Sequence, residues 1–163
     1  LFRFVDKRHN KLFDFFIRHG GVRLGKETKL LPRDIIDHSY NDNQYSMLKT
    51  LADIGADINF HTEGNSSNIS NAIDGNNVKI LELLIEKGAK ADQYSHMGEN
   101  VFEIAIRWSS GDCLRFLLHR YPKAANRKKL IHLMESKMKD HDFDYCRKNN
   151  PKFMECLKIL QSE

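Results

Sequence analysis

No stretch of this 163-residue chain approaches ~18 uninterrupted apolar residues, the length a helix needs to cross a membrane. A leader with a basic start, an apolar centre and a small-residue cleavage site is missing as well. Cysteine is scarce: Cys113, Cys146 and Cys156 make an odd count, read as reduced thiols in an intracellular protein. Two N-x-S sequons, at Asn65 and Asn68, would then stay unmodified. Catalytic signatures are lacking too. There is no G-x-x-x-x-G-K-[ST] loop, no G-x-G-x-x-G, and no nucleophile motif around any serine or cysteine. Gly20-Gly21 is better read as a helix stop than as a phosphate cradle. His132, His141, Cys146 and Cys156 fall within one stretch, but their spacing fits no zinc pattern. Neither enzymatic activity, nor a metal, nor another cofactor is expected.

Charge is present in quantity but unevenly placed. Residues 1–33 carry a net +6, residues 34–118 a net −7 and residues 119–163 a net +5, for +4 in all. An acidic middle between basic ends bears on partners and association rates, not on fold. The run Arg127-Lys128-Lys129, with Arg120 and Lys123, would suit phosphates. No aromatic interleaving or nucleic-acid motif goes with it, so it reads first as a solvated helix face. An acidic protein or an anionic membrane surface is the alternative partner for it.

The most informative pattern is an echo at 33 residues. Leu51, Gly55 and Ala56 return as Leu84, Gly88 and Ala89. Leu117 follows another 33 residues on, with Tyr121 in the glycine's place, and Gly20 precedes with a two-residue insertion. A fixed period near this length marks a solenoid whose units cover one another's apolar faces. Within one unit the spacing is helical twice. Ile69, Ala72 and Ile73 form one face, and Asp74-Gly75-Asn76-Asn77 then breaks it with turn residues. Val78, Leu81, Leu84 and Ile85 form a second stripe, widened by Ile80 and Leu83, and Gly88 stops it. Polar residues after Gly88, including Gly98, lead to the next helix as a hairpin or loop.

Toward the C-terminus the echo decays. Residues 127–138 predict a helix with Leu130, Ile131, Leu133, Met134 and Met138 inward. Residues 152–161 predict another, with Phe153, Cys156, Leu157 and Leu160. Cys156-Leu157 answers Cys113-Leu114 at an offset of 43, so this unit carries an insertion of about ten residues, over 139–151.

These residues resemble the ankyrin repeat family. Leu83-Leu84-Ile85-x-x-Gly88-Ala89 and Leu51-x-x-x-Gly55-Ala56-Asp57-Ile58-Asn59 match its second-helix ending. Asn100-Val101-Phe102-Glu103, Ser67-Asn68-Ile69-Ser70 and Asp34-Ile35-Ile36-Asp37 stand where its T-P-L-H would, with Asn100, Ser67 and Asp34 acceptable as N-caps. The resemblance implies one all-α solenoid over 1–163. Its units are a truncated repeat at 1–24, repeats at 25–57, 58–90 and 91–123, and a divergent capping repeat at 124–163. Leu1 then falls inside a first helix, so further sequence is expected upstream.

Such solenoids usually bind a protein partner on the concave side, at the hairpin tips and the exposed face of each first helix. By that frame the partner-binding residues are Leu30, Leu31, Arg33, Asn41 and Asp42 in the first full unit. The next unit supplies Glu63, Ser66 and Asp74, and the third supplies His96, Met97, Glu99, Arg107 and Trp108. Trp108 is the chain's single tryptophan. It serves either as a contact hot spot or as a lid over a neighbouring helix. The expected function is protein–protein recognition by a monomeric, cytoplasmic scaffold that does not bind nucleic acid. The alternative is a substrate-positioning or targeting domain of a larger enzyme. A secreted bacterial effector acting in the host cytoplasm is the other form of that reading, because the wealth of Asn, Lys and Ile resembles such proteins.

Overall fold

A computed structural model describes residues 42–53, 55–59, 67–91, 98–139 and 150–162. Among them are seven helices and no strand: α1 (Asp42–Asp53), α2 (Asn68–Asp74), α3 (Val78–Glu86), α4 (Val101–Arg107), α5 (Gly111–Arg120), α6 (Arg127–Lys139) and α7 (Pro151–Gln161). They stack in two rows. α2, α4 and α6 pack in sequence as one row, and α1, α3, α5 and α7 as the other. Across the rows α2 pairs with α3, α4 with α5, and α6 with α7. This is the helix–turn–helix solenoid the periodicity predicts. The expected repeats before residue 42 and the insertion with Cys146 lie outside the described residues.

The helices start where short polar side chains satisfy backbone donors that have no partner inside the helix. Ser67 accepts from the Ser70 N–H at 3.2 Å, and Asn77 accepts from the Ile80 N–H at 3.0 Å. Asn100 and Glu103 form a reciprocal capping box: Asn100 accepts from the Glu103 N–H, and Glu103 accepts from the Asn100 N–H. Asn150 caps α7, with Pro151 in the first turn, where its missing donor costs nothing.

The stops repeat as well. Gly55 and Gly88 hold φ at +87° and +89°, a region that L side chains rarely adopt. The alanines after them close each helix by donating to Leu51 and Leu84. Tyr121, at the glycine's place in the next unit, has φ −131° and instead donates to the Leu117 carbonyl. A second left-handed position recurs at the same 33-residue interval, in the turn between paired helices: Asn76 at +49° and Ser109 at +57°.

Burial corrects three of the expected stripes. On α3 the buried set is Ile80, Leu81, Leu83 and Leu84, while Val78 and Ile85 are only half-buried. α3 is in contact with α1, α2 and α5, so its apolar face must be wider and rotated toward Ile80 and Leu83. On α6 only Leu130 and Met134 are buried, and among the described elements this helix packs on α4 and α7. On α7 the buried set includes Ile159, and Leu157 is half-buried. Ile159 approaches Gly111 so closely that a Cβ there would sit 3.4 Å from its Cδ1. A side chain at 111 would therefore sit at the near limit of ordinary contact between α5 and α7.

Polar side chains stitch neighbouring units. Asn76 accepts from the Cys113 N–H at 3.1 Å and donates to Asp112 at 2.9 Å. The Ser110 hydroxyl donates to the Ile73 carbonyl. Asn68 donates to the Ile58 carbonyl at 2.6 Å, and Asn59 accepts from the Lys90 N–H at 3.0 Å. The Ser110 and Asn68 bonds satisfy polar groups buried at the seams.

Candidate functional site

The row of α2, α4 and α6, termed the inner row with the other termed outer, ends its second described unit with an exposed aromatic. Trp108 follows α4 as its C-cap, and 41% of its surface is open, the one exposed large hydrophobic among the described residues. Arg107 lies over its ring at 5.3 Å from the centroid. The same guanidinium pairs with Glu99 at 2.9 Å, and both of those side chains are largely covered. A guanidinium drawn to a carboxylate on one side and to an indole face on the other fixes the ring's orientation. Trp108 is thus partly exposed beside a guanidinium that is itself paired with a carboxylate.

Of the sequence-predicted contacts, Glu99, Arg107 and Trp108 come together here. Asp74 ends α2 and sits half-buried, 33 residues before Arg107 and so at the same place in its own unit. Gly75 holds Trp108's place there, and it brings no side chain. Asp42 opens α1, but its side chain lies outside the described set. Leu30, Leu31, Arg33, Asn41, Glu63, Ser66, His96 and Met97 also lie outside the described residues.

One pairing on the same row escaped the sequence reading. Glu103, besides completing the capping box, accepts from the Lys129 ammonium at 3.0 Å across to α6. The Asn100-x-x-Glu103 spacing is a capping-box signature and would have found Glu103. The sequence singled out Lys129 in the basic run but not its pairing with Glu103, which depends on how the units stack.

The basic run is partly committed to structure. Arg127 donates to the Ile159 and Leu160 carbonyls, both at 3.3 Å, and so closes the end of α7. Arg120 lies over the Tyr121 ring at 5.5 Å. With Lys129 paired to Glu103, three of the five basic residues that would suit phosphate already have intramolecular roles.

The outer row carries an open groove of about 490 Å³ between α1 and α3, lined by Tyr45, Lys79, Glu82, Leu83 and Glu86. Beside it Asp53 draws in both Lys49 and Lys87, and these hydrogen bonds hold its carboxyl below the usual carboxylate range. No described group pairs a nucleophile with a base. Burial pushes the Cys113 thiol up to about 12 and Cys156 to about 11, which keeps both protonated and unreactive near neutral pH. Among the described residues no cluster of His, Cys, Asp or Glu is placed to hold a metal ion. No described helix is long and apolar enough to cross a membrane.

No curated protein and no solved structure gives a significant match. A family model described as ankyrin repeats, in three copies, matches residues 35–129, more than half of the chain. That span takes in both of the described glycine stops, the two left-handed turns and the α2–α4 row, and the chain belongs to the ankyrin repeat family.

Proposed function

We propose that this chain recognises a partner protein through the inner row of its solenoid, with Trp108 as the central contact. Ankyrin repeats are in general protein–protein interaction modules, and domains built from them are typically non-catalytic. The observation that carries the finer reading is the exposed indole, held by Arg107 and Glu99. A pre-oriented aromatic loses little freedom on binding, and tryptophan and arginine are the residues that most often dominate interface energies. Asp74 and Gly75 stand at the equivalent places one unit earlier. Function rests on recognition, not on chemistry performed by this chain.

The test is affinity capture with the native chain and with Trp108→Ala, followed by titration of the captured protein. Circular dichroism establishes that both fold alike. Losing a hot spot of about 2 kcal/mol weakens binding by roughly thirtyfold. Affinity unchanged within about twofold would remove Trp108 from the interface and this reading with it.

A further inference from the structure

Two features of the turn that carries Trp108 run against local preference, and the matching turn one unit earlier has neither. Ser109 holds φ at +57°, in the left-handed region that serine adopts less readily than glycine or asparagine. Asn76 stands at that place in the earlier turn, at +49°, and its side chain bonds Asp112 and the Cys113 N–H. Ser110 is the N-cap of α5, yet its side chain makes no capping bond. Its hydroxyl donates instead to the Ile73 carbonyl near the end of α2. Asn77, its counterpart, caps α3 by accepting from the Ile80 N–H at 3.0 Å. Both serines are buried, at 7% and 1% exposure, directly behind the exposed indole in sequence. Trp108, Ser109 and Ser110 donate to the Ile104, Ile106 and Ala105 carbonyls, so the left-handed step closes α4 next to the ring. The Ser110 hydroxyl ties that closure to Ile73, two residues before Gly75, which holds Trp108's place.

We infer that Ser109 and Ser110 are positioning residues for Trp108. The first narrows the backbone freedom of the turn, the second anchors the turn to the preceding unit, and together they limit how far the indole moves. The inference rests on the reading of Trp108 as the central contact. Departures from local preference gather where a fold presents a group for use, at some cost in stability. Glycine at 109 would relieve the left-handed backbone and widen its freedom beside the ring. Alanine at 110 would release the turn from α2 and leave the start of α5 as it is, since no cap is lost.

Trp108 is the single tryptophan, so its fluorescence reports on this turn alone. The probe is acrylamide, titrated as a quencher into the native chain, Ser109→Gly and Ser110→Ala. Ser109→Gly should raise the melting temperature by about 2–4 °C, while its quenching steepens and its anisotropy falls. Ser110→Ala should show the same loosening of the ring without the gain in stability. Leu84→Ala, which weakens the core one unit away, should leave the quenching at its native value. A protein captured by the native chain should bind each serine variant about two- to tenfold more weakly, because a loosened ring must be ordered again on binding. Quenching unchanged in both serine variants, or raised as much by Leu84→Ala, overturns the inference. So does unchanged affinity in a loosened variant when Trp108→Ala weakens binding. Indifference of the captured protein to Trp108→Ala removes the inner-row reading, and the quenching still decides whether the two serines position the ring.

Discussion

Asn76 does two jobs with one side chain. Its backbone occupies the left-handed region at φ +49°, where asparagine is better tolerated than most residues, and its amide ties a turn to the next unit. Asn76→Ala should cost about 1–3 kcal/mol by denaturant titration, because it leaves the Cys113 N–H without its acceptor and strains the turn. Asn76→Gly relieves the backbone but not the lost bonds, so the difference between the two variants isolates the backbone share. Leu84 is fully packed at 1% exposure, and Leu84→Ala should cost on the order of 2–5 kcal/mol. A loss below about 1 kcal/mol would contradict its place in the core. The thiols give a pH test. Folding raises Cys113 and Cys156 above the ordinary thiol value of 9.0, so the folded chain keeps protons that the unfolded chain releases. Stability is therefore unaffected by them below that value and falls as pH rises from 9.0 toward about 12. In a Cys146→Ser background, a thiol reagent near neutral pH should label the native chain only as fast as it unfolds.

At the scale of the element, the sequence located the helices better than it oriented them. N-caps are local, so the starts of α2 and α4 were read directly from Ser67 and Asn100, whereas Asn77 was read as a turn residue and Asn150, which caps α7, went unread. Which side of a helix is buried depends on its neighbours. The stripe on α3 therefore rotated toward Ile80 and Leu83, and Ile159 on α7 was missed until Gly111 appeared beneath it. The candidate site divides the same way. Trp108 and Arg107 were legible because the repeat frame places them at one unit's edge. The Glu103–Lys129 link was not, because it joins residues 26 apart through stacking alone. Arg127 tests such a cross-element role. Its loss in Arg127→Ala should raise amide exchange selectively over residues 150–161, since it donates to the last carbonyls of α7. Exposed pairs such as Arg115–Glu155 should contribute little: Arg115→Ala is expected to shift stability by no more than about 1 kcal/mol.

For the whole molecule, the 33-residue echo was enough to name the architecture, because a period in sequence becomes a period in space when each unit can bury its face only on the next. Stability then accumulates from neighbour to neighbour. Hydrogen exchange should be slowest in α4 and α5, which have packed units on both sides, and faster in α6 and α7. Uniform protection across all four helices would mean instead that the described units open as one.

The seam at Asn76 reaches beyond stability, into how such a chain is inherited. Solenoids are lengthened and shortened by recombination that adds or drops whole repeats, which presumes interchangeable parts. Here the asparagine of one unit is matched to Asp112 and to the Cys113 amide of the next. A crossover between them would join a turn to a helix start that lacks its matching groups. The structural module spans the junction, from the turn of one repeat to the second-helix start of the next, and grafts cut at repeat boundaries would separate Asn76 from the Asp112 and Cys113 groups it engages.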